Sequence, residues 1–133
     1  MTQGRFGRIA GYVMSGLVIA FMLLDGGMKL VPMDGVIKAT ADLGYPPSIA
    51  LARGLGVTGL LCTALYAFPR TAVLGAILLT AYLGGAIATH ARIGSPLPTH
   101  TLFGVYVGLF TWSALWLRLP ALRALIPFKL EED

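Results

Sequence analysis

Residues 71–90 read TAVLGAILLTAYLGGAIATH, with no Asp, Glu, Lys or Arg anywhere in the run. As an α-helix rising about 1.5 Å per residue, a run of this length reaches roughly 30 Å, the thickness of bilayer hydrocarbon. It does not alternate apolar and polar residues, as the strands of a membrane barrel must. A helix also satisfies its own backbone hydrogen bonds, which lipid cannot do for it. The segment reads as a membrane-spanning helix.

Working outward, three more segments have the same character. Ile9–Val31 stops at Pro32, Ser48–Phe68 lies between Pro46-Pro47 and Pro69, and His100–Leu119 ends at Pro120. Prolines fall between the segments, where a residue that cannot continue a helix belongs. The expectation is an all-α integral membrane protein, a four-helix transmembrane bundle forming a single domain over residues 1–133. Its helices are placed at about 9–31, 48–68, 71–90 and 100–119.

Composition agrees. Of 133 residues, 56% are hydrophobic and only 12% charged, too few polar side chains to cover a soluble surface. The 17 glycines suit helices that approach closely in lipid. The net charge of +4 carries no nucleic-acid signal, because Lys and Arg sit singly at the edges of apolar runs. Cys62, the one cysteine, excludes an internal disulfide and a CxxC relay. The first apolar run is long for a signal peptide. It leads into Asp25-Gly26-Gly27-Met28-Lys29 rather than a cleavage site, so it is expected to be retained.

Orientation follows from the basic residues. Arg5, Arg8, Arg70, Arg118, Arg123 and Lys129 share one end, against Lys38 and Arg92 in loops at the other, with Lys29 and Arg53 just inside helix ends there. Both termini are therefore expected in the cytoplasm, with Glu131-Glu132-Asp133 as a solvated tail. Small residues at helical spacing should mark the helix contacts: Gly7 and Gly11, Gly54 and Thr58, and the stripe Ala76, Thr80, Gly84, Ala88.

Charges inside membrane helices are costly and usually face the bundle interior. Asp25 and Lys29 are four apart on one helix face, and Arg53 lies about one turn into the second helix. His90 closes the third helix, Arg92 follows it, and His100 opens the fourth. Alternating helix direction brings all six to the non-cytoplasmic end. The dipole of its own helix disfavours a cation at Arg53, so an Asp25–Arg53 ion pair is expected, with Lys29 the competing partner. On the bland reading this pair only fastens two helices. On the functional one, Asp25, Arg53, Tyr82 and His90 line a pocket for a polar head group, with Lys29, Arg92 and His100 contributing. Tyr82 and His90 are eight apart and share a helix face. His90 and His100 alone, without Cys or Glu nearby, make a weak metal signal, and no metal is expected. Tyr106, Trp112 and Trp116 are expected to pack or to anchor the last helix at the interface.

Taken in order, FMLLDGGMKL (21–30), LGYP (43–46), PRTAVLGAILLTAYLGGAIATHARIG (69–94) and HTLFGVYVGLFTWSALWLRLPALRALIP (100–127) resemble the DoxX-like family of small bacterial membrane proteins. The most distinctive stretch is Pro69–Gly94, with Gly84-Gly85 and Thr89-His90. The resemblance implies a four-helix protein of the bacterial inner membrane. The wider DoxX group is named for subunits associated with quinol or thiosulfate:quinone oxidoreduction, and some relatives are linked to oxidative-stress complexes. It supplies no catalytic motif to carry over, and a redox role rests on analogy of fold.

With no CxxC and no haem-type pair of in-helix histidines, the chain is expected not to move electrons by itself. No catalytic residue and no covalently bound cofactor are expected. The leading expectation is an accessory membrane subunit, in contact with the lipid bilayer, that binds a quinone-like lipid or redox-complex subunits at its periplasmic end. The alternatives are small-molecule permeation by a homo-oligomer, or a membrane assembly protein. Permeation has little support at mid-depth, where only Thr58, Thr63 and Thr80 are polar.

Overall fold

The computed structural model describes residues 2–31, 34–46 and 48–126. Pro32, Pro47, Lys129 and the acidic stretch 131–133 lie outside the described residues. Among those described, all regular structure is helical: α1 (Thr2–Leu30), α2 (Asp34–Asp42), α3 (Ile49–Ala67), α4 (Ala72–Arg92), α5 (Phe103–Arg118) and α6 (Pro120–Leu125). A π-helical segment, Leu97–Thr101, runs into α5. Four stretches are long and apolar enough to cross a membrane: Gly4–Leu30, Ile49–Ala67, Ala72–Arg92 and Leu97–Arg118.

The four long helices form a ring. α1 packs on α3 and α5, and α4 packs on the same two, so α1 faces α4 across the bundle and α3 faces α5. The interior is narrow. Met22, Leu79, Tyr66 and Leu115 fill it, while Leu17, Leu61, Ile77 and Leu109 stay exposed on the outside. Apolar side chains all round a helix are what a lipid-covered bundle requires.

Some boundaries differ from the sequence expectation. α1 begins seven residues before Ile9, because nothing in residues 2–8 breaks a helix. Between the first two spans lies a nine-residue helix, α2, which opens on Asp34, where an acid suits the positive helix end. α3 opens on Ser48, whose Oγ accepts from the Leu51 N–H at 3.3 Å. The last span starts at Leu97, earlier than His100. Pro96 caps the π segment and Pro98 occupies its first turn, where a missing N–H is harmless. The Thr101 and Leu102 amides reach back five residues, to Pro96 and Leu97, at 3.2 and 3.0 Å.

The small-residue contacts are only partly those expected. A side chain at Gly11 would meet the Ala114 carbonyl at 2.7 Å, so this glycine does set the α1–α5 approach. Between α1 and α3 the contact is Gly26 against Gly56, not Gly54 and Thr58, which are exposed. On α4 only Ala76 of the expected stripe is buried; Gly84 and Ala88 are exposed. Spacing identified the right residue type on the right helices but not which face turns inward.

Candidate functional site

At the end of the bundle that carries the α1–α3 and α4–α5 connections lies a cavity of about 400 Å³. Its polar wall is built around Lys29. The Lys29 Nζ donates to Asp25 Oδ2 at 2.8 Å, one helical turn back, and to the Tyr82 hydroxyl at 3.0 Å, across the ring on α4. An acid four residues before a base is the favoured order on a helix. The Lys29 and Asp25 side chains are 24% and 31% exposed, so the pair is neither sealed nor fully wet. An ammonium has three donors, and the third has no protein partner among the described residues.

Tyr82 can lie there because position 59 is glycine: a side chain at Gly59 would meet the Tyr82 ring carbon Cζ at 3.3 Å. Two imidazoles line the same cavity. His90, in the last turn of α4, pairs its Nδ1 with the Ser95 hydroxyl at 2.9 Å. His100, in the π segment, pairs its Nδ1 with the Thr99 hydroxyl at 2.8 Å. Their ring centroids are 5.8 Å apart, edge to face, and both residues line the cavity. Each Nε2 is without a protein partner among the described residues. A hydroxyl can donate or accept, so either imidazole can present Nε2 as donor or acceptor.

The end of α2 and the connection after it form another wall of the cavity. Thr40, Leu43 and Tyr45 line the cavity from this side. The Tyr45 hydroxyl meets Thr89 Oγ1 at 3.4 Å, and Arg92 Nη2 donates to the Leu43 carbonyl at 3.0 Å. Gly44, at φ +92°, turns the chain there, and any side chain on it would run into the Arg92 guanidinium.

Of the residues expected in the site, Asp25, Tyr82, His90, Lys29 and His100 are brought together. Arg92 stays at the rim as a latch on the α2 connection. Arg53 is a correction: it is exposed, does not line the cavity, and does not pair with Asp25. Its Nε donates instead to the Leu30 carbonyl at 3.1 Å, at the C-terminal end of α1. The last carbonyls of a helix lack intrahelical donors and carry partial negative charge. They give Arg53 its counter-charge, and Lys29, on the same face as Asp25, takes the carboxylate. Thr40, Tyr45 and Thr89 were not foreseen. Tyr45 in the Pro-flanked LGYP turn and Thr89 beside His90 were the available signals.

Among the described residues, no three of His, Cys, Asp and Glu cluster in a way that would hold a metal ion. The two histidines are backed by hydroxyls and not by carboxylates.

The sequence model of the DoxX-like family matches residues 13–114, well over half of the chain and the whole polar cavity. The chain belongs to the DoxX-like family. With its four apolar spans, it is a multi-pass membrane protein. No curated protein and no solved structure matches it. The family membership therefore covers the bundle and its polar end, and it leaves the chemistry to be argued from the residues.

Proposed function

We propose that this DoxX-like protein is an accessory membrane subunit that binds a quinone-like lipid, its head group in the cavity around Lys29, or a redox partner at the same end. The observation that carries the reading is the sharing of Lys29 between Asp25 and Tyr82, which leaves one ammonium N–H without a protein partner among the described residues. Asp25 neutralises the lysine, so the site offers directional donors without net charge. A neutral ring bearing carbonyl or hydroxyl oxygens is the matching chemistry. The imidazoles that also line the cavity add groups that donate or accept as needed. About 400 Å³ is in the range of small-molecule sites and suits one ring with its substituents.

The proposed setting is the bacterial inner membrane, with both ends of the chain on the cytoplasmic side and the cavity near the outer leaflet. Supporting this, Arg5, Arg8, Arg70, Arg118 and Arg123 are at the end opposite the cavity, whereas the basic side chains near the cavity are mostly engaged within the protein. A permeation path gains nothing from the structure. Thr58, Thr63 and Thr80 each donate to the carbonyl four residues back on their own helix.

Purification in mild detergent, followed by mass spectrometry of extracted small molecules, tests the reading. Wild type should carry a quinone or related neutral lipid that is lost from Lys29→Met and reduced in His90→Ala. Equal amounts of bulk phospholipid alone in all three proteins would reject it.

A further inference from the structure

The two ends of the bundle differ in charge balance. All three acids among the described residues, Asp25, Asp34 and Asp42, are at the cavity end. Arg5, Arg8, Arg70, Arg118 and Arg123 are at the other end, where no carboxylate of the described residues answers them. Arg5, Arg8 and Arg70 are exposed, and water can balance their charge. Arg118 is different.

Arg118 closes α5 and the membrane-length stretch Leu97–Arg118. The tight approach of α1 fixes its position: a side chain at Gly11 would meet Arg118 Cβ at 3.1 Å. The guanidinium carbon lies 5.1 Å from the Tyr12 ring centre on α1 and 5.9 Å from that of Tyr66 on α3. Aromatic faces attract a cation and orient it, but they do not neutralise its charge. Nε is enclosed, without a hydrogen-bond partner among the described residues. The residue as a whole is half-buried, so the Nη groups are those that an anion from outside can reach.

We infer that Arg118, held between Tyr12 and Tyr66, seats the phosphate of an anionic phospholipid at the end of the bundle opposite the cavity. A half-buried cation at the end of a membrane span costs free energy until an anion meets it. Phe6, Ile9 and Val13 beside Tyr12, and Phe68 beside Tyr66, are exposed and apolar, as surface covered by acyl chains should be. An anion that brings its own apolar chains fits both features. Arg8 and Arg70 are each four residues from these tyrosines, toward the same end, and favour a net negative lipid over a zwitterionic one. The planar fork of a guanidinium suits two phosphate oxygens at once. This site stands apart from the cavity around Lys29 and does not depend on its ligand.

Full-length protein in mild detergent tests this, titrated with phosphatidylglycerol or phosphatidylcholine of the same acyl chains and read by native mass spectrometry. Wild type should retain one phosphatidylglycerol about tenfold more strongly than phosphatidylcholine, the scale of one charge-assisted contact. Arg118→Gln should remove most of that preference. Arg118→Lys keeps the charge but loses the fork, and should lower the preference about threefold. Arg5→Gln and Arg123→Gln remove a charge elsewhere at this end and should change it by less than about twofold.

Equal retention of both lipids by wild type overturns the proposal. So does an equal loss in all three Gln variants, which would mean diffuse charge only, or a loss of both lipids together from Arg118→Gln, which would mean a structural role. Release of phosphatidylglycerol by millimolar inorganic phosphate would make the site one for the free ion. A preference that rises when Glu131, Glu132 and Asp133 are replaced by amides, but not in Arg118→Gln, would give the arginine to those carboxylates. Either result also overturns it. Arg118→Lys and the wild-type preference keep the test decisive if Arg118→Gln fails to fold.

Discussion

Tyr66 on α3 and Tyr82 on α4 each bring a hydroxyl across the bundle to the helix diagonally opposite, and the two ends of the molecule differ in what that hydroxyl finds. Tyr66 donates to the Thr111 carbonyl on α5 at 3.1 Å and meets Ser15 Oγ on α1 at 3.0 Å. It is completely buried, with the Arg118 guanidinium 5.9 Å from its ring centre. Tyr82 meets the Lys29 ammonium and opens on a cavity. Neutral partners satisfy the Tyr66 hydroxyl and close around it, with the nearby Arg118 Nε buried and without a hydrogen-bond partner among the described residues. A cation with a donor to spare, beside space, makes a site. The comparison separates polar groups that hold the bundle from polar groups available to a ligand.

The sharpest way to break the comparison is at the sealed end. A side chain at Gly75 would run into the Tyr66 backbone and come within 2.6 Å of the Leu65 carbonyl carbon. Backbone cannot rotate aside, so Gly75→Ala should cost more than about 3 kcal/mol, above the ordinary range for overpacking. Tyr66→Ala, which empties a fully buried site, should cost about 3–5 kcal/mol, and Tyr66→Phe about 1 kcal/mol for the hydroxyl alone. Thermal unfolding in detergent, followed by loss of monodisperse protein, should place the first two well above the third. Wild-type-like stability of Gly75→Ala would mean that α3 and α4 do not meet as described.

At the open end the same measurement should give small numbers. Lys29→Met strands Asp25 without its partner, but both side chains keep some access to water. The cost should therefore fall to about 1–2 kcal/mol, below that of a sealed ion pair. Lys29→Met combined with Asp25→Asn should recover most of it, because no carboxylate is then left alone. Head-group binding should not recover in the double variant. Recovery of both stability and binding would show that the lysine serves packing alone and that the two ends of the bundle are of one kind.

The asymmetry between the ends also explains what could be read in advance. The spans were legible because twenty-residue apolar runs admit few other structures in water or lipid. Asp25, Lys29, His90 and His100 were legible because titratable residues stand out against such runs, and helix direction sorts them to one end. Tyr66, Ser15 and Thr111 carry no charge, so their clasp left no mark in the sequence. The α2 connection was opaque for a different reason. Lys38 reads as part of a loop between the first two spans, and the nine-residue helix that contains it is too short for periodicity to declare itself. The Arg53 pairing was misjudged because only the dipole of its own helix was weighed. The carbonyls ending α1 were an equally good counter-charge and lay closer at hand.

Arg53 gives the smallest and most discriminating effect. Its one hydrogen bond among the described residues goes to an exposed helix end, where water or a lipid head group can replace it. Arg53→Ala should therefore change stability by no more than about 0.5 kcal/mol, as surface substitutions usually do. It should leave bound lipid at the wild-type level, in contrast to Lys29→Met. Loss of the ligand from Arg53→Ala with stability intact would be informative in the opposite sense. It would mean that the cation leaves the Leu30 carbonyl when the site fills and turns toward Asp25, freeing Lys29 for the ligand. The open end would then be a pair of exchangeable contacts, and its difference from the fixed Tyr66 clasp would be larger than the distances alone convey.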